Sequence, residues 1–200
     1  MRMLSVGMVA VLGAASGAMA ADVVETEGEF LDMIMDGYYV EDFDAYTYGS
    51  YQEYTLDLAQ GDWSYTISAS GGAMSFLWSG DGCMSTNSAL DGLLVEFTGA
   101  PVTAVGGWFY GSDIDGWYIP NPIHIELGDG TSYDFDPASG EDFRGFVSPE
   151  GTPIASIWID APEVGPNAWS TLDHFYVGSA VPAPGALMLL GLAGLARRRR

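Results

Sequence analysis

The chain has 200 residues with 27 acidic side chains, six basic ones, no lysine and one cysteine. All the acids lie between Asp22 and Asp173, where Arg144 is the one arginine, so this stretch carries a formal charge of −26. Phosphate neutralisation needs Lys and Arg, so nucleic-acid binding is excluded, and an anionic membrane surface is equally disfavoured. The lone Cys83 excludes an intramolecular disulfide.

The chain opens with Arg2, then an uncharged apolar run from Met3 to Ala15, then Ala18-Met19-Ala20. A positive start, an apolar run and a small-x-small triplet define residues 1–20 as a signal peptide for signal peptidase, with a mature start at Ala21. Residues 21–180 are then long enough for one domain with a sizeable core.

Thr26-Glu27-Gly28-Glu29 has capping-box spacing. Phe30, Leu31, Ile34 and Met35 follow on one helical face, and Gly37 can end the run. The pattern predicts a short helix over 27–36. Beyond it the chain reads as strands and turns. Tyr38 to Tyr48 is aromatic-rich around Asp42-Phe43-Asp44. Trp63 to Ser68 alternates, and Ala73 to Trp78 follows a Gly-Gly turn. Leu93 to Phe97, Val102 to Tyr110 and Ile123 to Leu127 come next. Gly128-Asp129-Gly130 between alternating runs, with Tyr133 and Phe135 returning, is a strong hairpin pattern. Phe143 to Ser148, Ile154 to Ile159 and Leu172 to Val177 complete about ten strands. The expected fold is all-β, an antiparallel β-sandwich of jelly-roll type with one N-terminal helix.

Catalytic signatures are sparse. No Gly-x-Ser-x-Gly elbow is present, and the two histidines have simpler roles: His124 in the polar phase of a strand, His174 beside Asp173. Zinc needs a His, Cys or acidic cluster that the spacing does not offer. Paired carboxylates remain possible for a secreted carbohydrate-active enzyme, with Glu96 and Glu126 as mid-strand candidates. Calcium takes six to eight oxygens. Asp42 and Asp44 on the first strand and Asp173 on the last one, expected to run side by side, resemble the structural Ca²⁺ site of jelly-roll binding modules. Trp117-Tyr118 follows Ser112-Asp113-Ile114-Asp115-Gly116 and precedes Pro120-Asn121-Pro122, so it is expected in a loop. Aromatic faces beside Asp113 and Asp115 suit a sugar ring, and loops are where binding residues collect. Packing of Trp117 over the sandwich end is the competing expectation; where the rings stay free, an extracellular polysaccharide is the ligand class.

The last twenty residues read Val181-Pro182-Ala183-Pro184, twelve small or apolar residues to Ala196, and Arg197-Arg198-Arg199-Arg200. Twelve helical residues rise about 18 Å, short of a hydrocarbon core of about 30 Å. The arginines are expected to stay cytoplasmic. Residues 181–200 resemble the PEP-CTERM sorting signal, with Pro182-Ala183-Pro184 where that family has Pro-Glu-Pro. The strand-and-turn run from 38 to 178 is similar to exported proteins bearing such tails, through Val102 to Phe109, Ile125 to Thr131, Phe143 to Phe146 and Leu172 to Gly178. The resemblance implies a Gram-negative-type host, an exosortase-type processing enzyme, transient membrane insertion and a non-catalytic surface or extracellular-matrix role. The tail is also catalogued as an ice-binding protein C-terminal domain. This chain has no long Thr-rich array for a flat ice face, so ice binding is not expected of it.

Overall fold

The computed structural model describes residues 20–71, 75–148, 151–162 and 167–182. The tail residues Pro184 and Arg197 to Arg200, the apolar segment between them, and Ala18 of the cleavage triplet lie outside the described residues. Ala20 and Pro182 are within them. No helix among the described residues is long and apolar enough to cross a membrane.

Two antiparallel sheets pack face to face, as the alternating patterns require. The smaller sheet runs in the order β11 (Ser132–Phe135), β10 (Ile123–Leu127), β13 (Ser156–Asp160), β7 (Leu93–Phe97), β4 (Trp63–Ala69) and β3 (Thr55–Gln60). The larger runs β1 (Asp22–Val24), β12 (Phe143–Val147), β8 (Ala104–Ser112), β14 (Trp169–Gly178), β6 (Met84–Thr86) and β5 (Leu77–Ser79). Two short strands join it, β2 (Tyr39–Glu41) on β14 and β9 (Tyr118–Ile119) on β8. Ile67, Val95, Ile125, Ile157 and Ile159 of the smaller sheet meet Val105, Phe109, Phe146, Leu172 and Phe175 of the larger one, all buried. Period-two alternation makes this core: the inward-facing residues of both sheets are apolar.

The sequence pattern misses four strands: β1, β3, β6 and β9. Three of them have two or three residues, too few for alternation to register. Ala73 to Trp78 shortens to Leu77–Ser79 among the described residues. Asp42-Phe43-Asp44 follows β2 instead of lying within it.

The helix α1 (Glu27–Met33) begins as the capping box predicts. The Thr26 hydroxyl accepts from the Glu29 amide at 3.3 Å and donates to the Glu29 carboxylate at 3.0 Å. It ends three residues earlier than predicted, because Ile34 turns extended and bridges Ala180. Met35, expected on the apolar face, is consequently half-exposed.

Helix α1 covers half of the outer face of the larger sheet. Phe30 is fully buried there against Phe143 and Tyr176, at ring distances of 5.4 and 6.0 Å. Its floor is the cross-strand pair Gly106 and Gly145. A β-carbon at Gly145 would sit 2.5 Å from the Phe30 ring. The other half of that face carries no helix, and the candidate site lies on it.

Candidate functional site: an aromatic and acidic cleft

β8 and β14 point alternate side chains outward in register. Asp173 pairs with Trp108, Thr171 with Tyr110 and Trp169 with Ser112. The Thr171 hydroxyl meets Ser112 at 2.7 Å and Ser85 at 3.1 Å, so buried hydroxyls satisfy one another beneath the surface. Above Trp108, Tyr110 and Asp173 opens a cleft of about 500 Å³. Trp117, Tyr118, Asp81, Glu141 and the Ser139-Gly140 backbone complete its walls.

The 113–117 loop supplies the most exposed ring. β9 folds straight back on β8, with Ser112 opposite Tyr118. Asp113 closes this turn: one carboxylate oxygen accepts from the amides of Asp115 at 2.9 Å and Trp117 at 3.0 Å. The Asp113 amide donates to the Trp117 carbonyl at 2.8 Å. Gly116, at φ +89°, lies flat against Gly80 and the Cys83 sulfur, where a β-carbon would stand 3.3 Å from the Gly80 Cα. Tyr48 donates to Asp115 at 3.0 Å. That hydrogen bond, ahead of desolvation, raises the phenol above its ordinary range. On this fixed loop Trp117 is 71% exposed. The Tyr118 hydroxyl donates to the Pro137 carbonyl at 2.6 Å, which orients its ring along the wall.

Of the four expected sugar-contacting residues, Trp117 and Tyr118 line the cleft. Asp113 and Asp115 hold the loop, and Asp113 faces a second cavity. That one, of about 260 Å³, is walled by Phe76, Trp78, Trp169, Gln52 and Ile114. It has fewer carboxylates, and the loop's Asp113-Ile114 corner separates it from the larger cleft.

Asp173 is the most perturbed acid. Burial pushes its carboxyl up to about 7, against the pull of the His174 amide, which donates to it at 2.5 Å. Asp44, Asp42 and Glu141 push the same way. The strand that precedes Asp42 is β2 and not the first strand, which pairs with β12 instead; β2 runs beside β14, with Glu41 opposite Phe175, so these acids share a neighbourhood. Among the described residues no group of three His, Cys, Asp or Glu side chains could hold a metal ion. Asp42 turns back to accept from the Asp44 amide at 3.2 Å. Phe43 between them is fully buried and projects both acids outward.

Among the described residues two non-glycine residues have positive φ, Phe43 at 54° and His174 at 48°. A bulky residue there is a true outlier, and such strain collects at functional sites. His174 lies where the β14–β8 register slips between Asp173 and Tyr176. It stacks on Trp108 at 4.5 Å and 13°, which fixes the indole at the cleft floor.

Cys83 is buried below the cleft. Desolvation pushes its thiol up to about 11, with the Tyr110 hydroxyl acting oppositely, so it is an inert packing group. His124 reaches Asp134 at 2.6 Å, on the outer face of the smaller sheet. Glu96 and Glu126 are exposed on that same face, on the far side of the sandwich.

Sequence reasoning misses Trp108, Tyr110, Asp81 and Glu141. In Trp108-Phe109-Tyr110 aromatics occupy both phases of the strand, so alternation cannot say which point outward. Asp81 and Glu141 come from loops joined to the cleft only by the tertiary fold. No family model matches the chain, and neither the curated proteins nor the solved structures give a match.

Proposed function

We propose that this protein is an exported, non-catalytic glycan-binding module of the cell surface or extracellular matrix, sorted through its PEP-CTERM-like tail. The observation that carries the reading is Trp117: a ring left largely in solvent on a loop fixed by hydrogen bonds, at the mouth of a cleft walled by three more aromatic rings and three carboxylates. A ring ordered before the ligand arrives loses little conformational freedom on binding. Flat apolar faces beside acceptor oxygens match the alternating CH and OH faces of a pyranose, and concave aromatic sites with few polar groups are where small ligands bind.

The test is binding of an immobilised oligosaccharide panel by residues 21–181. Trp117→Ala should weaken retained binding at least about tenfold, the scale of an aromatic anchor in a binding surface, and leave the melting temperature unchanged. Equal binding by the variant, or no binding to any glycan, would sink the proposal.

One observation favours a second reading. A carboxyl held near 7 beside Glu141 is the kind of group a glycosidase uses as general acid. New reducing ends released from a bound glycan, and their loss in Asp173→Asn, would select the hydrolase.

A further inference from the structure

We propose that the cleft takes an amino-sugar chain bearing free ammonium groups, in preference to neutral or uronic glycans. This rests on the glycan-binding reading and adds the chemical class of the ligand.

The walls supply the argument. Four aromatic rings, Trp108, Tyr110, Trp117 and Tyr118, surround a space whose polar side chains are Asp81, Glu141, Asp173 and Ser139. Aromatic faces are the negative ends of their quadrupoles and attract a cation, Trp most strongly. The carboxylates attract it further. Among the described residues no Lys or Arg side chain competes. Arg144 is the one Lys or Arg between residues 20 and 182. Its guanidinium donates to Asp142 at 2.7 Å and to its neighbour Phe143's carbonyl at 2.6 Å, and lies over the Phe135 ring at 4.5 Å.

A carboxylate cleft in a chain of this composition carries an uncompensated field. Asp42 and Asp44 add to it, since both act on Asp173, and Asp44 reaches the turn that bears Asp81. A uronate would enter against that field, and a neutral sugar would leave it unanswered. An ammonium on a pyranose answers the field with its charge and the rings with its flat face. The aromatic lining distinguishes this occupant from Ca²⁺ or Mg²⁺, which take oxygen ligands.

The probes are the β-1,4-linked glucosamine tetrasaccharide, its fully N-acetylated counterpart and a galacturonate tetrasaccharide, titrated calorimetrically at equal ionic strength. The expected order is glucosamine tighter than N-acetylglucosamine by roughly tenfold, the scale of a partly desolvated cation–π contact with an ion pair, and no galacturonate binding. Asp81→Asn with Glu141→Gln, both exposed positions, should cut that preference to about threefold or less. Glu96→Gln with Glu126→Gln on the opposite sheet should leave it intact. Trp117→Ala should weaken both amino sugars.

Equal or tighter binding of the N-acetylated chain, or any galacturonate binding that needs Trp117, overturns the inference but keeps the glycan-binding reading. Glucosamine binding that the opposite-face pair reduces as much as the cleft pair does, or that Trp117→Ala leaves unchanged, shows attraction to an acidic surface and overturns the inference. Selective displacement by CaCl₂ beyond the effect of NaCl at matched ionic strength shows a metal in the cleft and also overturns it. Failure of all three saccharides also overturns the inference, and binding to the wider oligosaccharide panel then decides the glycan reading.

Discussion

At the scale of single residues, Asp173 is where the fold works against its own chemistry. Its carboxyl is half-covered by the sheet and faces Asp44, Asp42 and Glu141, so it holds its proton to about 7, against 3.8 unperturbed. Between those values the folded chain keeps a proton that the unfolded chain has lost. The folded state then binds more protons, and its stability falls as pH rises. The contribution of Asp173 is fully present below about 4 and is lost by the time pH passes 7. Asp173→Asn keeps an oxygen for the His174 amide and removes the titration. Its melting temperature should match the parent's near pH 4 and exceed it increasingly up to about pH 7, with a constant gap above. A gap that does not change with pH would contradict the assignment. His174 adds a second local cost through its left-handed backbone. The two adjoining residues thus place a perturbed acid and an unfavourable conformation together at the cleft floor.

At the scale of elements, α1 divides the outer face of the larger sheet into a covered half and an open half. The division depends on Gly106 and Gly145, whose missing β-carbons admit Phe30. Gly145→Ala should lift the helix at about 1–3 kcal/mol, the usual cost of overpacking, or roughly 3–10 °C in Tm for a domain this size. The cost should shrink in a Phe30→Ala background, a coupling that a double-mutant cycle measures, and glycan retention should persist in both. The helix start was legible because a capping box is local chemistry. Its end was not, because Ile34 leaves the helix for a bridge to Ala180, 146 residues later in the chain. The long strands β4, β7, β10 and β12 were legible from alternation, and β9 was not, having two residues. The site divides the same way. Trp117-Tyr118 stood out as aromatics between turn residues. Their partnership with Asp173 was hidden, because two separately noticed features, a sugar-type loop and an acidic strand, meet only when β8 pairs with β14.

At the scale of the whole molecule, charge and chain path matter together. A formal −26 opposes compaction, and the sandwich answers it by facing most carboxylates outward, with Asp91 a buried exception. On the sorting-tail reading, an exosortase-type enzyme removes the segment beyond about Val181 after export. Intact-mass measurement of secreted protein should show a species lacking Arg197 to Arg200, and deleting those four codons should block the trimming. A mature species retaining all four arginines would refute the sorting role. The last described residues are already tied down. The Val181 amide donates to the Met33 carbonyl at 2.8 Å, Ala180 donates to Thr103 at 2.8 Å, and Ile34 bridges Ala180. The described chain therefore ends beyond one end of β14, while the cleft sits on its middle, at Asp173. From Asp173 to Ala180 is seven residues, about 23 Å of extended chain. On the sorting-tail reading, while the tail is inserted, β14 acts as a mast that spaces Asp173 from Ala180 by on the order of 20 Å of strand. Polymer could then be captured from the outer medium before the protein is released from its tether.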